Sequence, residues 1–292
     1  MTLAKQKSFA TALLLALAAA LPAFAANTCT VKGSGINFGN YSAALKNITG
    51  TVTVTCTKGL AYGIALNAGL GPGATITSRA MTGSTGATPL AYGLYSDAAH
   101  SINWGDSLGT NWVTGTGTGK AQKFNIYGQI PANKYVTVAS YTDTITASVE
   151  GAGFATATTR FLVKASALAH CTVSSTTLAF GAYTGAVNNA TSVISVTCSD
   201  ATSYTIGLNA GKSRGATITK RAMTGPRGAL LHYDLYSNAA RTLNWGNTAA
   251  TNWVTGSGIG STQSVNVYGQ VPAAQSLAPG SYTDTIVATL TY

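Results

Sequence analysis

Apolar and polar positions alternate with period two in TVTVTCT (51–57) and again in SVISVTCS (192–199). That period belongs to a strand with one face buried and one face in water. Further short runs rich in Val, Ile, Tyr and Thr are separated by Gly, Pro, Asn and Ser. In the first half they predict six strands, at roughly 30–38, 51–57, 61–67, 90–96, 121–130 and 141–149. Few stretches carry the charged face of an amphipathic helix. The pattern therefore predicts an all-β chain folded as antiparallel sandwiches of two packed sheets.

The pattern occurs twice. LNAG at 66–69 returns at 208–211, and RAMTG at 79–83 returns at 221–225, both at an offset of 142. Past one deletion the offset is 141: TNWVTG at 110–115 matches 251–256, and SYTDTI at 140–145 matches 281–286. A period this long excludes a solenoid and indicates a duplicated domain.

The copies differ after SYTDTI. From Ala155 to Ala167 one parity is mostly apolar and includes Phe161, Val163 and Ala165. The other parity is mostly polar and carries Arg160 and Lys164. This predicts a closing strand for the first copy at about 154–167. The given sequence stops at Tyr292, so the second copy is expected to lack its last strand. It would leave an acceptor edge strand bearing Tyr282, Ile286, Ala288, Leu290 and Tyr292. An open apolar edge invites a strand from another chain. The expected units are 1–26, 27–167 and 168–292.

The first unit reads as a signal peptide. Lys5 and Lys7 precede an apolar run, and Ala23–Ala25 fits a small-x-small cleavage site. Its loss takes the formal charge from +10 to +8. The cations are scattered, and no Lys/Arg cluster interleaved with aromatics marks a nucleic-acid partner. The four cysteines form two pairs with the same spacing, Cys29 and Cys56, Cys171 and Cys198. In an exported chain the repeat selects the disulfides Cys29–Cys56 and Cys171–Cys198. No metal-ligand spacing occurs.

Candidate chemistry is sparse. Asp143 and Asp284 occupy one repeat position, which points to a turn or strand-edge role. No spacing assembles a nucleophile with a base, so catalytic, cofactor-binding and metal residues are expected to be absent. GTGTGK (115–120) lacks the order of a phosphate loop. Trp104, Trp112, Trp245 and Trp253 recur in register, which favours core or anchoring roles over sugar stacking. Features unique to the first copy are better candidates for contact with a target. In the loop 68–78, Leu70 and Pro72 stand where the second copy has Lys212 and Arg214. With Ile76 they form a candidate surface-binding loop.

Taken together, INFGNYS (36–42), LAFGAYT (178–184), LNAG, RAMTG, NWG, YGQIPA (127–132) and SYTDTI resemble the spore coat protein U domain family. These are the pilins of archaic, Csu-type chaperone–usher pili, and the resemblance covers nearly all the mature chain, twice. It implies incomplete immunoglobulin-like sandwiches completed by a strand from the next subunit, after a periplasmic chaperone has first filled the gap. It implies an outer-membrane usher, an adjacent pilin that donates the strand, and export through the periplasm to the cell surface. Two-domain members are similar to tip adhesins that mediate surface attachment or biofilm formation. A secreted spore-coat or cell-surface structural protein of the same fold is the alternative. Neither is an enzyme.

Overall fold

The computed structural model describes residues 26–84, 86–106 and 110–292. The leader read over 1–26 lies outside the described residues except for Ala26. The first copy runs β1 (Cys29–Gly33), β2 (Ile36–Tyr41), β3 (Lys46–Cys56), β4 (Ala61–Leu66), β5 (Arg79–Met81), β6 (Leu90–Tyr95), β7 (Val113–Thr116), β8 (Gln122–Ile130), β9 (Ala139–Glu150) and β10 (Ala157–Ala167). The second runs β11 (Cys171–Ser175), β12 (Asn188–Cys198), β13 (Ser203–Leu208), β14 (Arg221–Thr224), β15 (Leu230–Tyr236), β16 (Val254–Ser257), β17 (Thr262–Val271) and β18 (Ala288–Thr291). The described residues are all-β apart from one 3-10 turn at Pro226–Gly228.

In the first copy, sheet β1-β3-β8-β6-β5 faces sheet β2-β10-β9-β4-β7. Alternation builds the space between them. Val52, Val54 and Ile126 enter from one sheet and Ile36, Ile64, Ile145 and Val163 from the other. The region read as one strand over 30–38 is two strands, broken at Ser34 and Gly35. The break moves the chain from one sheet to the other, and the Thr51 amide donates to Ser34 Oγ there at 2.7 Å. Sequence periodicity also missed β5 and β7, at three and four residues too short to show alternation.

Each disulfide joins directly opposed residues of neighbouring strands, Cys29–Cys56 across β1/β3 and Cys171–Cys198 across β11/β12. Tyr141 Oη donates to the Thr137 carbonyl at 2.8 Å, and Tyr282 Oη to the Ala278 carbonyl at 2.9 Å. In the first copy this tyrosine corner ties the start of the long strand β9 to the preceding loop, as in Greek-key sandwiches.

The second copy repeats the first sheet as β11-β12-β17-β15-β14. Its other sheet holds only β16-β13-β18. The copies meet head to tail. Leu168 N–H donates to the Tyr41 carbonyl and Asp200 N–H to the Tyr135 carbonyl. Thr137 Oγ1 donates to Asp200 Oδ2 at 2.8 Å, and Tyr135 stacks on His170.

Candidate functional site

The site is where one sandwich is closed and the other open, and the repeat permits comparison residue by residue. In the first copy β10 lies between two strands, parallel to β2 and antiparallel to β9. Its inward residues Phe161, Val163, Ala165 and Ala167 are buried. Gly33 lies under the Phe161 ring, and a Cβ there would sit 2.4 Å from Cδ1. Its outward residues Arg160, Leu162 and Lys164 are exposed. On one side β10 covers Tyr141, Asp143, Ile145, Ala147 and Val149; on the other it covers Ile36, Phe38 and Tyr41.

The counterparts in the second copy are all half-buried: Tyr282, Asp284, Ile286, Ala288 and Leu290, then Leu178, Phe180 and Tyr183. Tyr292 is exposed. Residues 281–287 make a single bridge, Thr224 to Thr283, where the first copy has continuous strand. A ladder needs a partner, and only Ala288–Thr291 finds one, in β13. Between 177–183 and 281–288 lies a groove of about 400 Å³, lined by Leu178, Phe180, Ile194, Met223, Tyr282 and Ile286 among others. No strand of the described residues occupies it.

A polar cluster underlies the groove in the second copy and the closed core in the first. Asp143 Oδ2 accepts from Tyr92 Oη at 2.6 Å, and Oδ1 accepts from the Leu70 amide at 2.7 Å. Asp284 does the same with Tyr233 Oη and the Lys212 amide. Asp143 is 5% exposed, so the turn or strand-edge role expected of it is corrected, whereas Asp284 is half-buried beside the groove. Asp143 is a buried acceptor that pins the loop after β4 onto β9. Gly69, at φ +89°, makes room; a Cβ there would lie 2.1 Å from Asp143 Oδ2.

Behind the acid lies a buried guanidinium that the sequence reading missed. Arg79 donates to the carbonyls of Asn67, Ile76, Leu66 and Trp104, at 2.6–3.1 Å. Arg221 grips the equivalent four carbonyls. Burial pushes Arg79 down to about 10 and lowers Arg221 as well. Burial, then the bond to the acid, raises Tyr92 and Tyr233 well above the usual phenol range. The signal was available: RAMTG keeps an arginine in both copies of a chain with 8% charged residues.

The loop 68–78 has the same anchors in both copies, and its chemistry differs at the tip. Leu70 is 73% exposed, Pro72 is exposed and Ile76 is half-buried. The tryptophans divide. Trp104 and Trp245 are fully buried, their indoles donating to the Ile64 and Ile206 carbonyls. Trp112 and Trp253 are half-buried and line shallow clefts. Among the described residues no three His, Cys, Asp or Glu side chains converge as metal ligands.

Known proteins share this architecture. A chain of the CsuC-CsuE chaperone-tip adhesion subunit pre-assembly complex from Csu pili of Acinetobacter baumannii superposes with a TM-score of 0.53 at 15% identity. The match spans 91% of this chain and 100% of that one, and it shows a common fold. Protein U of Myxococcus xanthus is 34% identical over 129 residues, which cover 40% of this chain and 72% of that protein. The Spore Coat Protein U domain model matches residues 13–148 and again 157–289. With both repeats matched almost from end to end, the chain belongs to the Spore Coat Protein U domain family.

Proposed function

We propose that this protein is a non-enzymatic fimbrial subunit, the tip adhesin of a chaperone–usher pilus. Its second copy, 168–292, accepts a strand from the adjacent pilin. Its first copy, 27–167, contacts the target surface and supports attachment or biofilm formation. The observation that carries this reading is the pair of matched stripes. The stripe from Tyr141 to Val149 is buried under β10, and the stripe from Tyr282 to Leu290 is half-open along the groove. A donor strand would cover the exposed apolar stripe and pair its backbone, the mode of strand addition. Before assembly a periplasmic chaperone fills the same groove, and an outer-membrane usher then exchanges it for the pilin. The fold shared with a chain of a chaperone–tip subunit complex supports the chaperone as first partner.

The test is a peptide with the sequence of 157–167 added to the mature chain. We expect it to raise the melting temperature of the second copy and leave that of the first unchanged. No shift across a panel of alternating peptides would remove the strand-acceptor role. The likeness to Protein U favours a second reading, a secreted coat protein of the same fold. Deleting the gene separates the two. Lost adhesion with fibres still made supports the adhesin, and normal adhesion with a defective coat supports the alternative.

A further inference from the structure

The joint between the copies uses Tyr135, Thr137 and Asp200, at one pole of the first sandwich. β9 runs away from that pole and ends at Glu150, at the opposite one. There the outer face of the sheet carries a shallow cleft of about 730 Å³. Trp112 lies across Gly63 on its floor; a Cβ on Gly63 would fall 1.9 Å from Trp112 Cε3. Glycine inside a strand weakens the strand and commonly marks a close approach. Here it lets the indole lie flat against the sheet.

The residues beside the ring are polar and share its face. Tyr62 and Ile64 point into the core, so position 63 faces outward. The cross-strand partners of Gly63 are Glu150 on β9 and Thr114 on β7. Ser148 Oγ donates to Glu150 Oε1 at 2.9 Å and orients the carboxylate. The second copy keeps a tryptophan, Trp253, in the corresponding cleft. It has Thr205 in place of Gly63 and Thr291 in place of Glu150, and these two pair with each other in the same register. Glycine floor and carboxylate therefore occur together only in the copy remote from the groove.

We propose that Trp112, Gly63, Glu150 and Thr114 form a binding site for a neutral pyranose. The flat C–H face of the sugar stacks on the indole. Sugar hydroxyls donate to the Glu150 carboxylate, a charge-assisted bond, and exchange hydrogen bonds with Thr114. The same carboxylate disfavours acidic sugars. This deepens the adhesive reading of the first copy, yet its test needs no fibre, so it can fail while the strand-acceptor role stands, or the reverse.

The experiment is saturation-transfer NMR and tryptophan fluorescence on the mature full chain with methyl β-galactopyranoside, lactose and cellotetraose. We expect at least one probe to bind, with Trp112→Ala and Glu150→Thr each weakening it by about tenfold or more. Gly63→Thr, which lifts the indole, should weaken it similarly, and Trp253→Ala should leave it unchanged. If Trp112→Ala lowers the melting temperature, Glu150→Thr, a surface change, carries the test alone. The proposal is overturned if no probe binds, if Glu150→Thr binds as the parent does, or if Trp253→Ala abolishes binding.

Discussion

Phe161→Ala tests whether β10 is an integral strand of the first sandwich. Phe161 is 5% exposed, and its ring fills the place left by the missing side chain of Gly33. Truncating a buried phenylalanine costs about 3–5 kcal/mol, transfer and cavity together. That is a large part of the roughly 5–15 kcal/mol that holds a domain. At about 3–4 °C per kcal/mol for a domain of this size, its transition should fall by about 9–20 °C. Leu162→Ala, one residue on, is the control. Leu162 is 54% exposed on the outer face, so its truncation should stay within about 0.5 kcal/mol. Calorimetry of the mature chain reads both changes, and Leu235→Ala in the second core assigns the two transitions. Equal small effects at 161 and 162 would refute the packing argument. Movement of the second copy's transition by Phe161→Ala would show that β10 serves the other groove.

Arg79→Leu strands four carbonyls without their donor and should cost about 3–5 kcal/mol in urea titration; a loss below about 1 kcal/mol would mean water replaces the guanidinium. Replacing Cys171 and Cys198 by serine opens a loop of separation 27 and should cost about 3–4 kcal/mol; an unchanged urea midpoint would refute the chain-entropy argument. Stability should fall above about pH 10, because Tyr92 and Tyr233 stay neutral when folded and ionise when unfolded. Below that pH both states hold neutral phenols and these groups impose no slope. Arg79, pushed down to about 10, and Arg221, lowered too, act in the opposite sense, but Tyr41, Tyr62 and Tyr141 are raised by burial as well, and the more numerous phenols prevail. Urea midpoints and tyrosinate absorbance across the alkaline range check the sign; rising stability there would refute it.

Much of the fold was legible because strand alternation is local. The apolar parity of 155–167 marks β10 before any coordinates, and the matched RAMTG and SYTDTI runs mark the duplication. Other features were hidden for definite reasons. β5 and β7 are held by long-range pairing, with too few residues to show a period. The break at Ser34 and Gly35 exists because two sheets must be bridged, and neither sheet is visible from one strand. Asp143 read as a turn or strand-edge residue because its repeat partner Asp284 argued only against a catalytic pair and named no buried partner. Its partners Tyr92 and Leu70 lie 51 and 73 residues away.

By itself, then, the sequence determined the class, the duplication and the alternating run at 155–167, because side-chain alternation and repeat register need only neighbouring residues. Tertiary structure alone decided that β10 lies between β2 and β9, since burial on both flanks requires Val163 to meet Ile36 from the far end of the copy. It also decided that one arginine in each copy is a buried clamp on four carbonyls. And it laid Trp112 flat beside Glu150 at the pole away from the joint. The spacing of those two residues gives no hint that they line one cleft, and only the pairing of β4 with β7 and β9 brings them to it.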